Sequence, residues 1–496
     1  MSIEVKTQVA MKSINEYGRV LTARGYAIRK DSLTAQEQQF IRTELTVSPK
    51  TMARSGPSGK PFTVYYESPL RFYVPRHWGR LHFGKEEHDA MPEGLDLPSH
   101  VTFKGKPYDY QEAILQTFID AGSNGLICVP CGKGKTFMAL SLAARLGKRF
   151  LVIVDKEFLL NQWKGEMEAF FPGLRIGILQ GSKAEVDPDD YDCTICMIQS
   201  LVQKTYPEST FRSYGFSIFD ECHHLGASNF SQALLKIQTN WMLGLSATPT
   251  RDDGLTRVFE WYLGKPVYWE KRREADPTVI VKALQFVTDD TNYTTVPVDY
   301  KGDPVLARLL GQVIECKERN VWIAEQILEL VKEPGRRILV LGERIKQLEV
   351  LEQMLLEAEP TLTIGYYVGG MKEAVREAAG REAQVLLASY AMASEAMNIK
   401  SLNAVVLASP RKKVEQSVGR ILRERPQERK LAPLILDVLD SHGVYMGQWR
   451  KRRAFYKACG YKIQIQNYKS NETSDDTSSD TEEPTKKAEL DFVEDD

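Results

Sequence analysis

Short apolar runs and longer amphipathic ones alternate along most of this chain. Between residues 101 and 271, "GLICVP", "RFLVIVD", "CTICMI", "FSIFD" and "MLGLSAT" are short and rich in β-branched or aromatic residues, the pattern of buried strands. The stretches "FMALSLAARLG" and "FLLNQWKGEMEAFF" fall between several of them and space their apolar residues as a helix does. Strands alternating with helices predict a parallel sheet covered on both faces. The alternation returns between residues 319 and 466, in "RRILVLGE", "LTIGYYVGG", "AQVLLASY", "NAVVLAS" and "APLILDV". The expectation is an α/β chain with two units in tandem.

The remaining segments read differently. In residues 1–97, "FTVYYES" and "RFYVPRHW" predict short strands and Ala35–Glu44 a helix, while "GPSGKP" is a turn. These make a small α+β module. "KRREADPTVIVKALQFVTDDTNYTTVPVDYKGDP" reads as a β-rich linker or insertion between the units. Past Tyr468 the apolar density collapses, which predicts a disordered acidic tail. The expected divisions are 1–97, 98–271, 272–310, 311–468 and 469–496.

Composition narrows the class. With 43% hydrophobic and 26% charged residues this is globular usage, and no apolar run approaches the ~20 residues that span a bilayer. The first residues lack the basic-then-apolar pattern of a secretory signal. Seven cysteines in such a length fit a reducing compartment. The expected setting is intracellular, without a membrane. A net charge of −1 hides an asymmetry: residues 471–496 carry 11 acids against 2 lysines, leaving about +8 on the rest. A basic body with an acidic tail fits an anionic partner such as nucleic acid; a solvated surface with an unstructured tail fits equally.

"CVPCGKGKT", residues 128–136, admits two chemistries. A Cys-x-x-Cys, repeated in "CTIC", invites a metal. Yet Cys193 and Cys196 sit three apart on a strand and point to opposite faces, and some sixty residues separate the pairs, outside zinc spacings. Buried small hydrophobes explain these cysteines better. A strand running through a glycine loop into a helix is instead the context for phosphate binding, because glycines turn N–H groups inward and the helix start favours negative charge. Lys135 would reach the β- and γ-phosphates and the Thr136 hydroxyl would ligate Mg²⁺. Asp220 and Glu221 close the strand "FSIFD", where α/β sheets bind ligands; one would hold the cation, the other polarise water. His223 beside them is read as a hydrogen-bonding residue. Ser246, Ala247 and Thr248 end another strand and would sense the neighbouring acids. Gln416, Arg420 and Arg423 lie in "EQSVGRILR", where the two arginines share a helix face suited to phosphate oxygens; a solvated basic face is the plain alternative.

Taken together, these stretches resemble superfamily II helicases of the DEAD/DEAH kind over residues 108–461. "PCGKGKT" is similar to that family's phosphate loop, and "DECHH", "SATPTR" and "QSVGRILR" resemble its motifs II, III and VI in order and spacing. "ATPTRDDG", with Arg251, Asp252 and Asp253, looks like the Arg-Glu-Asp element of the xeroderma pigmentosum group B-like branch. "RFYVPRHWG" looks like helicases of nucleocytoplasmic large DNA viruses. Two departures stand out. "YDYQ" keeps Gln111 but has Tyr108 where arginine is usual, and "SEAMN" has Ala396 and Asn398 where glycine and aspartate are usual.

The resemblance implies two RecA-like domains with ATP and Mg²⁺ between them. Pro130, Cys131, Gly132, Lys133, Gly134, Lys135 and Thr136 would hold the phosphates, Gln111 would read adenine, and Asn398 would take the place of the motif V acid. Asp220 would bind Mg²⁺ through water, Glu221 would orient the attacking water, and Arg420 and Arg423 would arrive on closure. Gln199, Ser200, Thr248, Arg251, Ser389 and Glu395 would meet the strand backbone. The expected activity is ATP-driven unwinding or translocation, on DNA rather than RNA, in viral transcription or repair with partner proteins, in host cytoplasm or nucleus or packaged in the virion. An RNA helicase and a nucleotide-gated clamp with little turnover are the alternatives, and a zinc-dependent binding module the outsider.

Overall fold

A computed structural model describes residues 16–49, 60–130, 132–226, 231–247, 249–251, 253–270, 275–395, 397, 399, 401–422, 428–468 and 473–475. The chain divides into two compact units, Met1–Lys271 and Arg272–Asp496.

The first unit is built on an eight-stranded sheet. From one edge its strands are Lys183–Ala184, Ile176–Gln180, Cys193–Met197, Phe150–Val154, Phe216–Phe219, Trp241–Ser246, Asn124–Cys128 and Pro266–Trp269. All pairings are parallel except the edge hairpin of Ile176–Gln180 with Lys183–Ala184. Helices Lys135–Leu146 and Glu157–Phe170 occupy the two predicted helical stretches. Cores cover both faces, as continuous apolar strands require. Cys196 and Cys128 pack into one core and Cys193 into the other, the opposite-face arrangement expected of residues three apart. Burial pushes the Cys128 thiol up to about 12 and raises those of Cys193 and Cys196. No group of three metal-ligating side chains occurs among the described residues.

The N-terminal residues form a five-stranded sheet, ordered Tyr66–Glu67, Arg71–Val74, Gly25–Arg29, Arg19–Thr22 and His88–Asp89. Helix Ala35–Glu44 opens with a reciprocal cap: the Glu37 N–H donates to Thr34 Oγ1 and the Thr34 N–H to the Glu37 carboxylate. Strand Arg71–Val74 stops before Pro75, and Arg76–Phe83 continues as helix, so "RHW" belongs to a helix and not to the expected strand. A proline cannot donate to the ladder, yet its φ suits a helix start.

This module shares one core with the eight-stranded sheet of the first unit: Tyr26, Phe72 and Trp78 lie in the same cluster as Val258, Phe259 and Tyr262. Buried Arg76 joins them by polar contacts, donating to Asn124 Oδ1 at 3.1 Å and to the Asn240 and Thr239 carbonyls. The Tyr262 hydroxyl donates to the Val64 carbonyl.

The second unit holds another eight-stranded sheet: Ile364–Tyr367, Val385–Ser389, Ile338–Gly342, Ala404–Leu407, Leu434–Asp440, Ile280–Phe286, Lys462–Asn467 and Thr473–Asp475. Its five predicted strands are present. Two expectations are corrected. Ile280–Phe286, read as part of a linker, is an interior strand paired in parallel on both sides; its charged flanks, with Lys282 and Gln285 inside it, hide five apolar positions. Thr473–Asp475, read as tail, adds an antiparallel edge to Lys462–Asn467, because an open sheet edge accepts backbone hydrogen bonds whatever the side chains. Under this sheet Arg319 forms a buried fork with Asp440 at 2.7 and 3.0 Å. Arg452 does the same with Asp437 at 2.8 and 2.9 Å.

Candidate ATP site

Strand Asn124–Cys128 delivers the chain into the glycine loop, and helix Lys135–Leu146 carries it away. Gly132 and Gly134 have φ of +87° and +80°, backbone shapes that only glycine adopts without cost. A Cβ at 134 would stand 2.6 Å from Gln111 Nε2. Lys133 leans over the Tyr110 ring, 5.3 Å from its centroid, and pairs with Glu270 at 3.4 Å. Lys135 projects from the first helical turn and meets Glu221 Oε1 at 3.2 Å. Ammonium and carboxylate therefore hold each other at the loop mouth.

Asp220 and Glu221 follow strand Phe216–Phe219 directly. Glu221 has φ +43°, a strained backbone for a side chain of its size. That turn lets its N–H donate to Asp220 Oδ1 at 3.0 Å. The other oxygen, Oδ2, accepts the Trp163 indole N–H at 2.8 Å. Burial, and then the Glu221 charge, push the Asp220 carboxyl up to about 6, while Lys135 and Trp163 oppose the shift. Thr136, in the first helical turn, and Asp220 offer hard oxygen donors, the set that suits Mg²⁺.

A polar chain runs outward from this pair. His223 Nδ1 lies 3.4 Å from Glu221 Oε2 and 3.1 Å from Ser246 Oγ. Arg251 donates to the His223 carbonyl and grips Asp253 through Nε at 2.9 Å. Two stretches far apart in sequence, "DECHH" and "SATPTR", are thus joined by side chains. Ala247 follows Ser246 at the strand end.

Several predicted residues sit differently from expectation. Gln111 is buried at 3% exposure; its amide donates to the Lys133 carbonyl at 3.1 Å and accepts from the Tyr108 N–H at 3.0 Å, so it props the loop. Beside it the rings of Tyr108 and Tyr110 are exposed and stacked at 6.0 Å. Gln199 and Ser200 face inward, donating to the Asp155 carbonyl at 2.7 Å and accepting from the Gly181 N–H at 2.9 Å. The short helix Ile198–Gln203 buries Ile198, Ser200 and Leu201 together. Arg251 likewise spends its guanidinium within the protein.

In the second unit Ser389 ends strand Val385–Ser389 and its Oγ accepts weakly from the Met392 N–H at 3.5 Å. Gln416 lies in the turn Glu415–Val418, Glu395 ends helix Tyr390–Glu395 and Arg420 stands in Gly419–Ile421. Cys131, Thr248, Asp252, Ala396, Asn398 and Arg423 lie outside the described residues. Pro130 accepts the Lys133 N–H at 3.4 Å. Trp163 escaped the sequence reading; its signal was a tryptophan on the buried face of a helix next to the acidic strand end.

Comparison with known proteins decides the family. Residues 104–251 match the model described as type III restriction enzyme, res subunit, and residues 322–425 the helicase conserved C-terminal domain. A protein of Acanthamoeba polyphaga mimivirus that bears the name of an ATP-dependent RNA helicase is 30% identical over 456 residues, 90% of this chain and 86% of its own. The chain belongs to the superfamily II helicases. An African swine fever virus protein with a similar name is 27% identical over 69% of this chain and 71% of its own. A protein of Escherichia phage T5 named as a helicase is 25% identical over 68% and 72%. The helicase is therefore an ATP-dependent enzyme acting on nucleic acid, and these three relatives are viral. Among its described residues no helix is long and apolar enough to cross a membrane.

Proposed function

We propose that this helicase is an ATP-driven motor that steps along nucleic acid, DNA in preference to RNA, in viral transcription or repair. The observation that carries the reading is the contact between Lys135 and Glu221 at 3.2 Å, at the mouth of a loop held open by two left-handed glycines. A clamp that hardly turned over would have no need of a lysine, an acid pair and a linked histidine in one place.

In this reading the loop N–H groups and Lys135 bind the phosphates, and Thr136 and Asp220 hold Mg²⁺. The cation, when bound, supplies neutralising charge to the phosphate oxygens. Glu221 orients the attacking water and takes its proton, and the strained turn fixes the carboxylate against Asp220 and Lys135. Arg420 and Arg423 bring positive charge to the transferring phosphoryl, a contribution of about 10³–10⁵ in rate for an arginine in that role. His223, Ser246 and Arg251 relay the state of Glu221 to the "SATPTR" segment. The "ATPTRDDG" stretch supports placement in the group B-like branch.

Action on RNA is the second reading, favoured by the names of the mimivirus and African swine fever virus relatives. The test of both is ATP turnover alone and with single- and double-stranded DNA and RNA, beside Lys135→Ala. Stimulation by DNA that vanishes in the variant supports the first reading. Stimulation by RNA alone transfers the engine to the second, and no turnover with any of them overturns the motor.

A further inference from the structure

The N-terminal module and the first helicase sheet enclose a cavity of about 190 Å³, lined by Ala23, Arg24, Tyr206, Phe211, Arg212 and Gln238 among others. A water takes about 30 Å³ of liquid, so the space suits a group of ring size and is smaller than the usual ~300–1,000 Å³ pocket of a drug-sized ligand. Its walls are of three kinds. Tyr206 and Phe211 are half-buried and meet edge to face at 5.5 Å. Arg24, on the turn joining strands Arg19–Thr22 and Gly25–Arg29, and Arg212 are exposed.

Gln238 completes the floor. It is 6% exposed, and neither its Nε2 nor its Oε1 has a hydrogen-bond partner among the described residues. Gly25 covers it so closely that a Cβ there would lie 3.0 Å from Nε2. Native folds seldom leave both ends of a buried amide unmatched. An amide is also the group that pairs with a base edge through one donor and one acceptor.

The chain passes straight from helix Ile198–Gln203, which carries Gln199 and Ser200, to Thr205 and Tyr206. The Tyr206 hydroxyl donates to the Ser200 carbonyl at 3.0 Å, and Lys236 ties down the Leu201 and Val202 carbonyls at 2.7 and 2.9 Å. The pocket wall is thus fastened to the same short helix.

We propose that this cavity takes one unstacked base of the bound nucleic-acid strand, its ring against Tyr206 and Phe211, its edge on Gln238, and its phosphate at Arg24 and Arg212. The proposal rests on the nucleic-acid reading above. Stacking on aromatic rings tolerates any base, so the pocket grips a strand wherever a base is already unpaired, and it makes the N-terminal module part of the substrate site.

The test uses the full chain and single-stranded oligonucleotides carrying one 5-iodouracil, with photo-adducts mapped by mass spectrometry. Adducts on Tyr206 or Phe211, reduced in Gln238→Leu, are expected. The exposed double variant Arg24→Ala/Arg212→Ala should bind about tenfold more weakly and flatten the salt dependence by about 1.4 in log–log slope, at about 0.7 per phosphate contact. Its ATP turnover without nucleic acid should be unchanged. Should Gln238→Leu fail to fold, that double variant carries the test. Unchanged affinity with adducts confined to other segments overturns the pocket and leaves the motor standing. Equal labelling by free 5-iodouridine monophosphate overturns assignment to a strand. Absence of any nucleic-acid binding overturns pocket and motor together.

Discussion

The indole N–H of Trp163 donates to the Asp220 carboxylate at 2.8 Å, so a helix that otherwise only packs the sheet sets the orientation of the acid assigned to the metal. Trp163→Phe keeps an aromatic ring, smaller than the indole, and deletes the donor. A hydrogen bond to a charged group is worth about 1.5–3 kcal/mol, so half-maximal turnover should need at least roughly tenfold more Mg²⁺. The acid limb of the rate profile should also move to higher pH, which a mere packing defect would not cause. Titrations of ATP turnover with Mg²⁺ and with pH check both.

Asp220 itself gives a pH dependence with a definite sign. Its carboxyl is pushed up to about 6, and only the ionised form holds a cation, so turnover should fall as pH drops through about 6. Cation and proton compete, and raising Mg²⁺ should carry that limb downward. The stability effect runs the other way. A carboxyl raised above its unfolded value favours the fold fully below the unfolded pKa, and that benefit disappears as pH rises through about 6. Asp220→Asn should therefore melt a few degrees higher than the native chain at pH 8, with the gap closing by pH 4, while losing ATP turnover. A melting series across pH beside an ATPase assay would show it; a lower melting point at pH 8 would refute the burial argument.

The stacked Tyr108 and Tyr110 present aromatic faces where the buried Gln111 presents none. Base selection should accordingly be lax, with kcat/KM for ATP and GTP within about one power of ten, since stacking is indifferent to base identity. Tyr110→Ala should raise KM for both nucleotides alike, and Gln111→Ala should lower kcat for both by loosening the loop. Steady-state kinetics with the two nucleotides suffices, and a strong ATP preference lost in Gln111→Ala would return the glutamine to a reading role.

Ser246 accepts or donates to His223 at 3.1 Å, and through it "SATPTR" is linked to Glu221. Ser246→Ala should leave ATP turnover within a few-fold of native yet lower the number of base pairs opened per ATP consumed. Strand displacement and phosphate release followed in one reaction measure that ratio.

Arg76 is buried and its guanidinium serves Asn124, Thr239 and Asn240. Arg76→Ala removes three bonds to neutral acceptors; the Asn240 carbonyl keeps the Asn124 amide and Asn124 Oδ1 keeps the Met242 N–H, so at about 0.5–1.5 kcal/mol per bond the loss is about 2–4 kcal/mol. Thermal melting should fall accordingly, and hydrogen exchange should quicken first in residues 16–49 and 60–89.

Much of this was legible because the chemistry is local. Lys135, Thr136, Asp220 and Glu221 are placed by the ends of apolar strands, and strand ends are visible as changes of pattern. Orientation is another matter. Nothing in "MIQSL" says that Ser200 faces Gly181, because a six-residue helix takes its inner face from the sheet beside it. Ile280–Phe286 was obscured by charged neighbours, and Ile176–Gln180 by the half-buried alternation of an outer strand. Gln111 was visible as a residue but not as a prop, since its partner, the Lys133 carbonyl, is a backbone atom that no motif spells out.

The interior strand Ile280–Phe286 also has a consequence for how the protein is made. It leaves the ribosome first among the strands of its unit, yet both of its neighbours, Leu434–Asp440 and Lys462–Asn467, come from the last part of the chain. At roughly 5–20 residues per second it stays unpaired on both edges for on the order of ten seconds or more. During synthesis the second half of this helicase therefore passes through a stage with a bare, mostly apolar ribbon and no sheet to enter. A messenger cut short before those closing strands would yield a sticky fragment with a finished first unit, and its fate would rest with the chaperones of the cell that makes it.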